Sequence, residues 1–341
     1  MSAGARSLAG AFARLRPGRS VHAISAVLLP YDESGRIDWE AFERHLLRTR
    51  AAGLDVAVNM DTGFGDLLTD GERTAVLGVT RRALGAGAPF YAAAFAGPAG
   101  DPVAGYHAAI ATIEAHDAIP VLVQCSAMHR LAPAEKASFY SRILARADRA
   151  LGFELSSVFA PHGEIWDEES FERIIALPKL LGAKHSSLDR ATELSRLSAK
   201  ERLRPEFRIY TGNDLAIDLV AFGSDYLLGL STFAPERFAE RDHALGEGEV
   251  GFLSRNDALQ HLGNVGFRAP VPAYKHAAAQ FLHITGGLGG DGVHPRAPRR
   301  PASDRAMLFD CALRLRMLID PERTWRERVA PWLGSGVPTA S

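Results

Sequence analysis

The sequence predicts an α/β protein, a (β/α)8 barrel with a C-terminal helical extension. Three observations carry that expectation. Eight short apolar runs fall before residue 232, amphipathic segments with helix-start signals separate them, and the alternation stops at about residue 250. Strands alternating with helices pair in parallel, and eight such units close into a barrel. An open doubly wound sheet is the competing architecture. No run is followed by the Gly-x-Gly-x-x-Gly turn that would mark a dinucleotide site, and the glycines at 286, 287, 289, 290 and 292 come late, after a helix.

In chain order the runs are "HAISAVLLP" at 22–30, "LDVAVNM" at 54–60, "PFYAAAF" at 89–95, "IPVLVQC" at 119–125, "FELSSVF" at 153–159, "LLGAK" at 180–184, "FRIYTG" at 207–212 and "YLLGLS" at 226–231. Between the first two, "DWEAFERHLLRTRAAG" has Asp38 as a cap, Trp39, Phe42, Leu46 and Leu47 on one face, and Gly53 at its end. Thr69 and Glu72 are spaced as a capping box. Asp101 with Pro102, Asp167 before "EESFERIIA" and Asn213 before "DLAIDLVAFG" repeat the start pattern.

Beyond residue 250, "NDALQHLGNVGF", "PAYKHAAAQFLHIT" and "SDRAMLFDCALRLRMLI" read as extra helices. No repeat and no long linker separates them from the rest. The expected organisation is a flexible tail over residues 1–20, the barrel over 21–249, C-terminal helices over 250–320 and a C-terminal tail over 321–341. The first 20 residues carry Arg and Ser but no acid, as transit peptides do; because Arg and Ala abound throughout the chain, a frayed tail is the preferred reading.

Composition excludes several classes of partner. With 341 residues, 47% hydrophobic and 23% charged, the chain has the make-up of a globular protein. Its formal net charge of -1, with acids and bases mixed, offers no basic field for nucleic acid. No apolar stretch of about 18 residues suggests a membrane span. Cys125 and Cys311 are too few for a disulfide framework and lack zinc-site spacing, which fits a reducing, cytoplasmic setting and no metal. A small-molecule partner is expected.

The basic residues are unevenly chosen. Of 39 Lys plus Arg, only Lys136, Lys179, Lys184, Lys200 and Lys275 are lysines. A guanidinium stays protonated, whereas an ammonium loses its proton readily when desolvated. Lys184 ends an apolar run and precedes "HSS", the place where a barrel would hold a Schiff-base lysine. Taken by itself, the stretch fits a strand-end lysine reaching solvent better.

Other strand ends supply Pro30 with Tyr31, "MDTGFGD" at 60–66, "AGPAGD" at 96–101, "CSAMH" at 125–129, "SSVFAPHG" at 156–163, "TGND" at 211–214 and "GLST" at 229–232. In the second of these, Thr62, Gly63 and Gly65 form a turn whose N–H groups could approach an anion; a plain tight turn is the alternative.

Together and in this order the segments resemble the dihydrodipicolinate synthase and N-acetylneuraminate lyase family of class I aldolases. "AISAVLLPYDESGRIDWEAFERHLLRTRAAGLDVAVNMDTG" is similar to that family's opening, "LLGAKHSS" to its lysine strand, "YTGNDLAIDLVAFGSDYLLGLST" to its Gly-Asp-Asp segment and eighth strand, and "VPAYKHAAAQFLHITGG" to its C-terminal helices, over roughly residues 21–318. The resemblance implies a TIM barrel, commonly a homotetramer and here a tetramer or dimer, that cleaves or condenses 2-oxo acids such as pyruvate through an imine. It implies Lys184 as the imine lysine and Asp61, Thr62, Gly63, Gly212, Asn213 and Leu228 as substrate-binding positions. Asp61 and Thr62 stand for the family's paired threonines, and Phe64 stands where it usually has Glu.

The family's fifth-strand tyrosine, its proton shuttle, is missing, with Ser156 at that position; the arginine that usually follows is also absent from "APHGE". Candidate substitutes are His129, His185 and Ser156, with Tyr31 and Tyr210 further choices. Three functions remain open: a Schiff-base lyase or aldolase, a non-catalytic or regulatory 2-oxo acid-binding protein in which Lys184 holds a carboxylate by charge, and a dehydratase using the same imine.

Overall fold

Each apolar run supplies one strand: β1 Ala23–Ala26, β2 Asp55–Val58, β3 Tyr91–Ala94, β4 Ile119–Leu122, β5 Ala150–Leu155, β6 Leu180–Ser186, β7 Arg208–Thr211 and β8 Asp225–Leu228. The computed structural model describes residues 7–97 and 100–333, and among these the strands form one closed barrel in chain order. Closure is parallel, with Ile24 of β1 opposite Leu227 of β8. The fold is thus the expected (β/α)8 TIM barrel with C-terminal helices.

The helices are α1 Leu8–Phe12, α2 Trp39–Ala51, α3 Asp70–Leu84, α4 Pro102–Glu114, α5 Pro133–Leu144, α6 Glu168–Ile175, α7 Arg190–Leu203, α8 Pro235–Gly246, α9 Gly251–Gly266, α10 Tyr274–Ile284 and α11 Asp304–Arg314. Their starts follow the chemistry of orphaned first-turn N–H groups. Asp38 accepts from Ala41 N at 3.0 Å, Asp101 from Val103 N at 3.1 Å, and Asp167 from Ser170 N at 2.8 Å. Thr69 and Glu72 complete their capping box. After β7 the expected helix is only a 3-10 segment, Ile217–Phe222, ended by Gly223 at φ 115°. Asn213 does not cap it, because its side chain bonds to Glu193 and Leu188 instead.

The N-terminal stretch from residue 7 carries α1 and docks beside α7 and β8. Arg14 binds Ser198 Oγ at 2.7 Å and Glu201 at 2.9 Å, and Arg19 binds Asp225 at 2.8 Å. Residues 321–333 continue as helical turns. Residues 1–6 and 334–341 of the expected tails, and 98–99 of the 96–101 loop, lie outside the described residues.

Alternation along each strand separates two cores. Ile24, Ala57, Tyr91, Val121, Leu151, Phe153 and Leu227 fill the lumen, while Val56, Ala92, Leu122, Ala183 and Leu228 face the helices. At the N-terminal end of the barrel Tyr210 bonds His22 Nδ1 at 2.9 Å, and His22 Nε2 lies 3.0 Å from Asp55. This leaves the C-terminal end as the mouth. There α10, buried on nearly all sides, brings Tyr274 and Lys275 toward the loop after β2.

Candidate active site

Lys184 sits late in β6, directly across from Phe153 of β5. Since Ala183 faces the helices, alternation turns Lys184 inward. Its side chain is only 9% exposed, and Nζ lies 4.5 Å from the centroid of the Phe153 ring. Gly212 makes room for the stem: a Cβ there would come within 2.6 Å of Lys184 Cε and 2.1 Å of Ser186 Oγ. Burial pulls the Lys184 pKa below that of an ordinary ammonium, against the opposing pull of Asp214 and Asp61.

Asp214 is the next ionisable group. It is buried, and its Oδ1 accepts from Leu230 N at 2.7 Å. Burial pushes its carboxyl up to about 7, although the Lys184 charge and backbone N–H groups pull the other way. The two charges act on each other, the amine held below the range of an ordinary ammonium and the carboxyl raised to about 7.

The loop after β2 supplies the third part. A 3-10 turn over Asp61–Gly63 ends with Phe64 in the left-handed region, φ 59°. Gly65 is obligatory, because a Cβ would lie 1.7 Å from Asn59 O. The turn's own hydrogen bonds use the N–H groups of Gly63, Phe64 and Gly65. The Gly63 amide, expected to meet an anion, is therefore tied to Met60 O at 3.0 Å. That leaves the hydroxyl of Thr62, which lies 2.8 Å from the hydroxyl of Tyr274. Tyr274 in turn donates to Asp61 Oδ2 at 2.8 Å, and Lys275 Nζ donates to Asp61 Oδ1 at 2.7 Å.

Tyr274 is held by stacking on Phe267, with ring centroids 4.3 Å apart. Burial first, and then the Asp61 charge, raises its pKa well above that of a free phenol, so it enters any reaction as a proton donor. Gly229 closes the group: a Cβ there would stand 3.1 Å from both Thr62 Oγ1 and the Tyr274 ring.

The other expected site residues are scattered. His185 points to the helix layer, fully buried, with Nδ1 2.7 Å from Glu154 and Nε2 2.7 Å from Ser187 Oγ. Arg196 also binds Glu154, at 2.9 Å. Burial works against a charge on His185, but the Glu154 carboxylate outweighs it and raises the imidazole pKa. This strand alternation separates His185 from Lys184. Asn213 is fixed between Glu193 and the Leu188 N–H, away from the lumen, and the Leu228 side chain packs among the helices.

Ser156 lies just past β5, accepting from Val158 N at 3.3 Å. His129 follows the β4 loop, half-buried, with Nδ1 lacking a partner among the described residues. Tyr210 is directed to the barrel's opposite end. Tyr31 packs edge-on against Phe64 and His294.

Asp214, Tyr274 and Lys275 are therefore site residues that sequence reasoning did not single out. One signal was available: Lys275 is one of five lysines and stands next to a tyrosine in an Ala-rich helix. Among the described residues no group of three His, Cys, Asp or Glu is placed to hold a metal ion, and no helix is long and apolar enough to cross a membrane.

A family model described as "protein of unknown function (DUF993)" matches residues 18–334. No curated protein matches the sequence. Among solved structures, dihydrodipicolinate synthase from Thermotoga maritima is 17% identical with TM-score 0.75, covering 88% of this chain and 99% of that one. The chloride-inhibited dihydrodipicolinate synthase from Acinetobacter baumannii complexed with pyruvate is 17% identical with TM-score 0.71, covering 88% and 100%. YagE, a prophage protein of the dihydrodipicolinic acid synthase family from E. coli K12 in complex with pyruvate, is 14% identical with TM-score 0.77, covering 87% and 99%. These likenesses establish the barrel and its C-terminal helices as a shared fold.

Proposed function

We propose, for a chain that belongs to the DUF993 family, a Schiff-base-forming lyase or aldolase acting on pyruvate or another 2-oxo acid. The observation that carries this reading is Lys184, a buried amine of lowered pKa at the barrel mouth, coupled to a carboxyl that titrates at about 7. The pyruvate held by two proteins of the same fold supports the choice of ligand.

The neutral amine of Lys184 adds to the ketone carbon, giving a carbinolamine. Its hydroxyl takes a proton and leaves as water, and the resulting iminium draws electrons from the adjacent C–C or C–H bond as that bond breaks. Asp214 takes the ammonium proton of Lys184 and returns it. Tyr274 serves in place of the dihydrodipicolinate synthase family's fifth-strand tyrosine: its one proton swings from the bond to Asp61 to the reacting atoms and is refilled through Thr62. Asp61 accepts from the tyrosine and orients it, while Lys275 balances Asp61 and adds positive charge for the substrate carboxylate. The Thr62 N–H, with no acceptor among the described residues, faces the same need.

The test is borohydride reduction with pyruvate and a panel of 2-oxo acids, followed by intact mass and peptide mapping. The expected adduct sits on Lys184 and is lost in Lys184→Ala. An adduct on Lys275, or one that persists in Lys184→Ala, overturns the assignment; a parent that binds pyruvate without an adduct supports binding by charge alone. We also propose a homo-oligomer, supported by exposed Val250, Leu253 and Leu313 on the C-terminal helices and the turn before them, at 82%, 59% and 41% exposure. Sedimentation as a monomer at micromolar concentration would sink that part.

A further inference from the structure

Resting on the imine reading above, we infer that the aldehyde partner of this site is apolar, with an aryl or alkyl group, and carries no second carboxylate. The mouth is divided by chemistry. Thr62, Asp61, Tyr274, Lys275 and Asp214 form one side, delivered by the loops after β2 and β7 and by α10. The side made by β3, β4 and β5 is largely apolar, with Ser156 at its edge. Phe95, Val123, Phe159 and Ala160 lie just past those three strands and pack on the lumen cluster that holds Phe153 and Leu155. All four are half-buried; Phe95 also lines the cavity between α3 and α4, which leaves Val123, Phe159 and Ala160 as the open part of this side. Lys184 Nζ stands over Phe153 at the border between the two sides.

Three cations near the apolar side are already engaged. Arg73 lies over the Phe95 ring, 5.4 Å from its centroid, with its N–H groups on Gly65 O, Leu68 O and Asp70. Lys136 is buried against Glu164 at 2.8 Å. His162 bonds Gln124 O at 2.9 Å. A carboxylate entering here would lose its hydration and gain none of these three cations in exchange, whereas an aryl or alkyl group loses nothing of that kind.

The substrate is then a 4-hydroxy-2-oxo acid with an apolar group on C4. Lys184 forms the iminium at C2 and water leaves. The C4 hydroxyl gives up its proton to the Asp214 carboxylate, which is left free once water has departed, the C3–C4 electron pair moves into the iminium, and an apolar aldehyde departs. The enamine takes a proton at C3 from Tyr274, and water hydrolyses the iminium to pyruvate. The reverse sequence forms the same bond.

The experiment incubates the full chain with pyruvate and, separately, benzaldehyde, hexanal, glyoxylate and succinic semialdehyde, following aldol product by mass and pyruvate consumption. Benzaldehyde and hexanal are expected to react with kcat/KM at least ~10²-fold above the two carboxylated aldehydes, the scale on which an apolar pocket discriminates against an added polar group. Phe159→Arg and, independently, Val123→Arg should shift that ratio toward the carboxylated aldehydes by ~10-fold or more while pyruvate trapping by borohydride is unchanged. Trapping with a preference for carboxylated aldehydes, trapping with no aldehyde turned over, or an unmoved ratio in both folded variants overturns the inference. Absence of the pyruvate adduct in the parent is a different result, which removes the imine reading itself and the inference with it.

Discussion

Replacing Tyr274 with phenylalanine removes one oxygen at the point where the site's hydrogen bonds meet. The ring keeps its stacking on Phe267 at 4.3 Å, so the helix stays seated. Asp61 loses the donor at 2.8 Å but retains Lys275 at 2.7 Å, and Thr62 loses its partner at 2.8 Å. A hydrogen bond to a charged group is worth about 1.5–3 kcal/mol, and the surviving Lys275 contact places the stability loss near the lower end. The loss in chemistry is larger. Removing a general acid costs about 10²- to 10⁴-fold, equivalent to roughly 3–5 kcal/mol of barrier. The assay is exchange of the pyruvate C3 protons in D2O followed by proton NMR, which requires proton transfer at the enamine carbon and no aldehyde partner. Tyr274→Phe should exchange ~10²-fold or more slowly, while still reaching nearly the parent level of borohydride adduct after long incubation. Exchange within a factor of about three of the parent would refute the assignment and return attention to His129 and Ser156.

Two further predictions concern the charges around Lys184. With Asp214 at about 7, the amine–carboxyl pair holds two protons below that pH and one above it, and of these two forms only the one-proton form can hold the amine neutral; adduct formation should therefore rise through pH about 7, and Asp214→Asn should abolish that break, whereas an unchanged profile would exclude Asp214. In the helix layer, Glu154→Gln leaves Arg196 and His185 buried against a neutral amide, which should cost about 3–5 kcal/mol of stability in denaturant unfolding yet leave trapping per folded molecule within a few fold of the parent; a selective loss of trapping in stably folded protein would implicate the Glu154–His185 pair in the chemistry.

How far the sequence could be read depends on the kind of signal each element left. The eight strands are visible because buried parallel strands need continuous apolar residues, and the caps at Asp38, Thr69, Asp101 and Asp167 because first-turn N–H groups need a side-chain acceptor. Lys184 is visible for a similar local reason. His185 shows the limit: its type suits proton transfer, but a strand that turns Lys184 inward turns the next residue outward. Asn213 and Asp214 show it again, since the same short loop directs one side chain to Glu193 and the other to the Leu230 N–H. Tyr274 and Asp61 are 213 positions apart, and nothing local in either segment announces their contact. Gly63 misled in the opposite sense, because a glycine turn advertises free N–H groups whether or not the turn uses them itself.

The position of Tyr274 also bears on what the rest of the mouth can become. A barrel lumen can be reached from any strand end and from any helix laid over it, so a proton donor is defined by where its oxygen lies and not by which element carries it. If α10 supplies the donor, as proposed above, the end of β5 need not present a hydroxyl next to Lys184. Ser156 can close a turn with Val158, and Phe159 and Ala160 can extend the lumen cluster upward beside Phe95 and Val123. The apolar wall and the displaced tyrosine are on this account one arrangement: moving proton transfer to the β2 side frees the β3–β5 side to select the aldehyde by burial. The two are separable by experiment, because Tyr274→Phe should slow C3 exchange without altering the ratio of aldehydes, and Phe159→Arg should alter that ratio without slowing exchange. A variant of either kind that moves both readouts together would show that the two sides of the mouth act as one site.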